Sequence, residues 1–327
     1  MINSNTTNFS PNKAAAFTRP LFLTPTEDLK GYVSGHLGRL ILFAITCFSV
    51  LAVLLIFGFV AREAIPFITK QGIGELLTST RWFPEAEGSS AEYGGLALIV
   101  GSLYVTVGAL VLSVPLALLA AVFLSDIAPF KVQQVCKPII EILAAIPSVA
   151  YGFFAVIVLA PWMQKHWNFT TGTNALNSSL ILAVMAMPTI VSVAQDSISV
   201  VGREIREASY SLGATRTETM TKVVIPAAHS GIIAGIILGM MRAVGETMVV
   251  WMASGNASQI PHPWWDLSQS IRTMTATIAG ELGETPKDTN HYYVLFAVGL
   301  LLLIFTFSLN LTSEYFLARF RKRKGTA

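Results

Sequence analysis

The sequence predicts an all-α polytopic membrane protein with six transmembrane helices. Three observations carry that reading. Hydrophobic residues make up 53% of the 327 and charged residues only 13%, about half the charged share of a soluble domain; mean hydropathy is +0.60. Apolar runs long enough to cross a hydrocarbon core of about 30 Å recur along the chain. Lys and Arg gather on alternate connections, fifteen of the 22 on one side, which the positive-inside rule assigns to the cytoplasm. An ordinary soluble enzyme is excluded. The net charge of +3 gives no reason to expect nucleic acid as a partner.

In chain order, residues 1–35 are polar, contain Pro11, Pro20 and Pro25, and lack a periodic apolar face. They read as a mobile cytoplasmic tail, too long and polar for the start of a cleaved signal peptide. The first span occupies 40–61 between Arg39 and Arg62, as an uncleaved anchor. A polar excursion with five acidic residues follows over 62–93. The second span is 94–124. After a loop carrying Lys131 and Lys137 comes the third, 139–161, where Pro147 kinks the helix. The fourth, 178–200, holds a second expected kink at Pro188. The fifth is 227–254 and the sixth 293–316, so that 36–318 forms the membrane domain and 319–327 a basic cytoplasmic tail. Trp82, Trp162, Trp167, Trp251, Trp264 and Trp265 fall at or beyond the outer span ends, as an aromatic belt would. Cys47 and Cys136 make neither a disulfide nor a metal site. The five histidines are scattered near span ends and loops, where a solvated or interfacial ring is expected.

The longest polar interruption of the C-terminal half is 203–226. Ile205, Ala208 and Leu212 share one helical face. Gly213 permits the positive-φ turn that ends a short helix. A second short helix runs over 216–224, and Pro226 sits where a new helix begins. The product is a helix-turn-helix elbow. Its spacing resembles the EAA loop of ABC importer permeases: Glu207, Ala208 and Ser209, then Gly213, then Val223, Ile225 and Pro226. Ser209 replaces the usual second Ala. The resemblance implies that Glu207, Ala208, Ser209, Gly213 and Pro226 couple the membrane part to a cytoplasmic ATPase. The other reading is an amphipathic connector resting on the membrane surface.

Arg242 and Glu246 are the sharpest candidates for chemistry. They lie deep in the fifth span, where charge is costly, and their spacing puts them on one helical face. A guanidinium fork matches an oxyanion, so one reading has Arg242 contacting an anion in transit while Glu246 orients it. The other reading is a structural ion pair bracing the helix. Glu141 and Asp196, near cytoplasmic span ends, snorkel or pair with loop cations, with gating as the alternative. Residues 270–284, SIRTMTATIAGELGE, place Ile271, Met274, Ile278 and Leu282 at helical spacing and read as an amphipathic helix on the outer surface. P-loop, H-E-x-x-H and G-x-S-x-G signatures are absent from the sequence.

With RAVGETMVV, IPSVAYG and SIRTMTATIAGELGE added to the elbow, about 36–319 resembles the C-type permease subunits of phosphate ABC importers. That resemblance implies a type I ABC importer permease fold in the bacterial cytoplasmic (inner) membrane. It also implies a heterodimer with an A-type phosphate permease, two ATPase subunits, and a periplasmic or lipid-anchored phosphate-binding protein. Phosphate would be the cargo; ATP and Mg would be bound by the partner, and this chain would need no cofactor. A permease for sulfate or molybdate, the A-type partner, a self-contained channel, and an intramembrane hydrolase or transferase are the alternatives.

Overall fold

The computed structural model describes residues 25–84 and 91–323. Its first helix, α1 (Pro25–Gln71), begins inside the expected tail and continues well past Arg62; residues 1–24 of that tail lie outside the described residues. Apolar side chains from Leu40 to Phe59 point outward all round this helix, as a lipid-facing span requires. The chain divides after Gly58 into two compact units, and everything that follows belongs to the second.

The excursion over 62–93 is not a solvated loop. It contains the end of α1, the short α2 (Ile73–Thr78), and an antiparallel hairpin of β1 (Trp82–Phe83) and β2 (Glu92–Tyr93). Its acidic residues mask an apolar set: Ala64, Phe67, Leu76, Trp82 and Tyr93 are buried with Leu98, Met274, Leu295 and Val298 in one core. Trp82 therefore leaves the expected belt, being 3% exposed. The other five tryptophans are exposed.

The second span is α3 (Leu96–Val122), prolonged by a π-helical turn to Ile127. The third is broken. α4 (Phe130–Ala145) ends one residue before Ile146–Pro147, and the chain resumes as α5 (Ser148–Phe154), a π-helical turn and α6 (Ala160–Trp167), bent by 90°. The flanking stretches read as loops, 125–138 and 162–177, are thus partly helical. Pro147 is the expected cause, since it supplies no N–H to the ladder. The fourth span, α7 (Ala175–Ser199), runs through Pro188 without a break.

The elbow comprises α8 (Arg203–Ser211) and α9 (Arg216–Thr219). A π-helical turn then leads into α10 (Ile225–Val244). α10 packs tightly on α7 through three glycines a turn apart. A Cβ on Gly231 would meet Ser197 Oγ at 2.0 Å, one on Gly235 the Val193 Cβ at 3.2 Å, and one on Gly239 the Ile190 side chain at 2.4 Å. Small residues at this spacing let two membrane helices touch backbone to side chain.

The fifth span is also broken. α10 stops at Val244 and α11 (Met248–Ala253) starts after Gly245–Thr247. α12 (Met274–Glu281) does not lie on the surface as expected. Ile271, Met274, Thr275, Ala276 and Thr277 are all buried, and the helix packs against α3, α11 and the last span, α13 (Asn290–Arg323). Its threonines can be buried because their hydroxyls find partners: Thr277 donates to Thr273 O at 2.8 Å and Thr275 to Glu246 O at 3.0 Å. The basic tail begins as the end of α13. Among the described residues five helices are long and apolar enough to span a membrane, and the bent pair of the third span makes six.

Candidate functional site

The elbow forms from local signals. α8 ends at Ser211 with Leu212 as its C-cap, and Gly213 takes φ +83°, a turn where a Cβ would meet nothing within 4 Å; only the backbone angle calls for glycine. Thr215 then caps α9 with a reciprocal box, its Oγ1 accepting from Glu218 N at 3.3 Å while Glu218 accepts from Thr215 N at 3.1 Å. Pro226 does not open a separate helix as expected: it follows the π-helical turn inside a helix that runs unbroken from Arg216 to Val244.

Two contacts close the angle between α8 and α9. Ser209 Oγ lies 2.9 Å from Thr219 Oγ1, both buried, so the residue that departs from the usual Ala joins the two arms. Asp126, at the end of the second span and 12% exposed in its side chain, pairs with Arg206 from α8 and with Arg216 from α9. Arg206 also donates to Ile198 O at 3.0 Å. Sequence reasoning missed Asp126; its one signal was an acidic residue closing an apolar run. Ile205, 47% exposed, and Leu212, 90% exposed, are left uncovered on one face within this chain, and Tyr210 is 42% exposed on the charged side of α8. Glu207 and Ala208 are exposed beside them.

Arg242 and Glu246 separate. Arg242 closes α10, whereas Glu246 sits in the break before α11. No ion pair joins them among the described residues. The helical face expected to hold both ends at Val244, so their i, i+4 spacing no longer aligns them. Glu246 Oε1 instead accepts from Val249 N at 3.5 Å, at the start of α11.

Arg242 reaches the other break. It donates to Ala144 O at 3.3 Å and to Thr189 Oγ1 at 3.4 Å. The Pro147 bend ends the ladder of α4 and frees the carbonyls of its last turn. Tyr151 OH takes Leu143 O at 2.9 Å, and Arg242 takes the next one. The half-buried guanidinium thus ties the end of α10 to the broken third span at Ala144 and to the unbroken α7 at Thr189 through two long bonds, and its other donors have no hydrogen-bond partner among the described residues.

Asp196 pairs with Lys137 at 3.7 Å, as a cytoplasmic-edge carboxylate was expected to do, and Glu141 is exposed. One histidine departs from expectation: His291 Nε2 lies 2.8 Å from Glu281 Oε2, with 12% of each side chain exposed. No group of metal ligands occurs among the described residues.

A bundle of apolar helices with two discontinuous spans and a polar elbow between the fourth and fifth is the architecture of a membrane transport subunit. The chain belongs to the family described as binding-protein-dependent transport system inner membrane component, which its residues 113–322 match. It is 34% identical to the probable ABC transporter permease protein YqgH of Bacillus subtilis, over 86% of this chain and 90% of that one. It is 31% identical to the phosphate transport system permease protein PstC of Haemophilus influenzae, over 87% and 92% of the two chains. In fold it is similar to a chain of the inward-facing MetNI methionine ABC transporter, with a TM-score of 0.53, 17% identity, and coverage of 67% of this chain and 92% of that one. The type I ABC importer permease fold expected from the sequence is the fold observed.

Proposed function

We propose that this chain is the C-type permease subunit of a phosphate importer, conducting inorganic phosphate inward by alternating access. The observation that carries the coupling is the elbow: two arms locked on Asp126 and presenting Ile205 and Leu212 uncovered. An apolar face of this kind suits the groove of a cytoplasmic ATPase. Phosphate as the cargo is supported by the names of the PstC relatives. The elbow and both termini then face the cytoplasm. An A-type permease, two ATPase subunits and a periplasmic or lipid-anchored phosphate-binding protein complete the complex. ATP and Mg belong to the ATPase, and this chain performs no covalent chemistry.

Arg242 is the path residue in this reading. Its long bonds to Ala144 O and Thr189 are weak enough to yield to an oxyanion, which offers charge-assisted acceptors. Glu246 acts separately, at the break that begins α11. The deciding measurement is phosphate uptake by the reconstituted complex with hydrolysable and non-hydrolysable nucleotide. Uptake that ignores nucleotide would mean a channel, and full suppression by excess sulfate or molybdate another oxyanion. Gly213→Arg is expected to abolish ATPase co-purification. Arg242→Gln is expected to lower uptake at least tenfold with assembly intact; normal uptake would remove Arg242 from the path.

A further inference from the structure

The end of the molecule opposite the elbow holds a charged node that the path through Arg242 does not use. Glu281 closes α12, and its side chain is 12% exposed. It accepts from Trp82 Nε1 at 3.1 and 3.2 Å and from His291 Nε2 at 2.8 Å, and it pairs with Arg272. Both carboxylate oxygens are therefore occupied. Among the described residues Arg272 has Glu281 as its ion-pair partner, and its buried Nε has no hydrogen-bond partner. A buried donor left without an acceptor is uncommon.

Arg272, Glu281, Trp82, Asn256 and Ser258 line a cavity of about 410 Å³. At roughly 30 Å³ per water, that holds a tetrahedral oxyanion with part of its hydration shell. Ser258 offers a rotatable hydroxyl, and Asn256 is oriented by its Nδ2 bond to Trp251 O at 2.7 Å, which leaves a second N–H. The depth is set by Gly101, where a Cβ would meet Arg272 O at 2.1 Å. Five residues at about 1.5 Å each put Arg272 some 7–8 Å inside the Leu96 end of α3. Asp126 and the elbow lie at the other end of the same helix.

We propose that this cavity is a receiving site for the transported oxyanion, phosphate in the reading above, on which this inference rests. Arg272 supplies the cation and Ser258 and Asn256 the neutral donors. Glu281 offsets much of the guanidinium charge, so capture of the anion is the limited step, which an added cation speeds and an added anion slows. Its saturated oxygens keep Arg272 fixed rather than free to follow the anion inward.

The test replaces Ser258, which lies in the cavity but outside the node, with either sign of charge in the complete reconstituted complex. Uptake is measured at saturating phosphate-loaded binding protein, together with the concentration of that protein giving half the maximal rate. Ser258→Asp is expected to lower the maximal rate roughly fivefold or more, the scale of a like charge a few ångströms from the anion. Ser258→Lys is expected to raise it, with the half-saturating concentration unchanged in both. Two variants that move the same way, neither moving, or a change confined to the half-saturating concentration would overturn the proposal. A wild-type complex that carries no phosphate would instead overturn the reading beneath it.

Discussion

Ser209 shows how one side chain alters an elbow without altering its shape. Its hydroxyl is buried against that of Thr219, and removing one partner strands the other. Ser209→Ala is expected to cost about 1 kcal/mol, and adding Thr219→Val to recover most of it, because a pair of apolar groups leaves nothing unsatisfied. A double-mutant cycle on thermal unfolding in detergent reads this directly; additive losses would mean that the two hydroxyls act independently. Gly101 is a different kind of residue requirement. An added methyl there would press on the backbone of Arg272, its O at 2.1 Å and its C at 3.1 Å, and backbone cannot rotate aside. Gly101→Ala is therefore expected to lower the melting temperature by many degrees, and an unchanged melt would mean that the 270s segment moves away freely.

Among elements, the π-helical turn at the end of α3 matters most for coupling, because it places Asp126 between the two arms of the elbow. Asp126→Asn leaves Arg206 and Arg216 facing a neutral amide. Arg216 is 62% exposed in its side chain, so water softens that half, and the loss is expected at about 1–3 kcal/mol. The sharper consequence is functional: nucleotide hydrolysis should continue while phosphate moved per nucleotide falls, and an unchanged ratio would show that the elbow drives α10 alone. Much of this layout was legible. The elbow could be read because Gly213 and Pro226 are local signals; the cap at Thr215 is equally local but was not read. The Pro147 break was readable in kind, though its 90° bend was not. The break at 245–247 was hidden because hydropathy averages over it and no proline marks it. The 270–284 run was placed on the surface because threonine counts as polar in a sequence; its hydroxyls are satisfied by contacts such as Thr275 with Glu246 O, which periodicity cannot foresee. The shared face expected of Arg242 and Glu246 assumed a continuous helix, whereas α10 stops at Val244.

Across the whole molecule, the Glu281 node ties together pieces far apart in sequence: the hairpin through Trp82, the buried α12 segment through Arg272, and the last span through His291. Burial pushes the Glu281 carboxyl upward, but hydrogen bonding from His291, the Arg272 charge and the Trp82 N–H together outweigh it and hold the group below its ordinary 4.5. A carboxyl depressed in the folded state binds its proton more readily once the chain unfolds. Its contribution to stability is therefore complete above the unfolded value and is lost as pH falls through the folded one. Glu281→Gln keeps the shape and removes the charge, leaving Arg272 buried without its counter-ion. The variant should melt well below wild type at pH 7, and the gap should narrow as pH drops beneath 4.5, because the wild-type carboxyl then becomes neutral as well. Melting curves of both proteins between pH 7 and pH 3 provide the comparison. A gap of constant size would mean that the node holds these three regions together by packing, with charge contributing nothing.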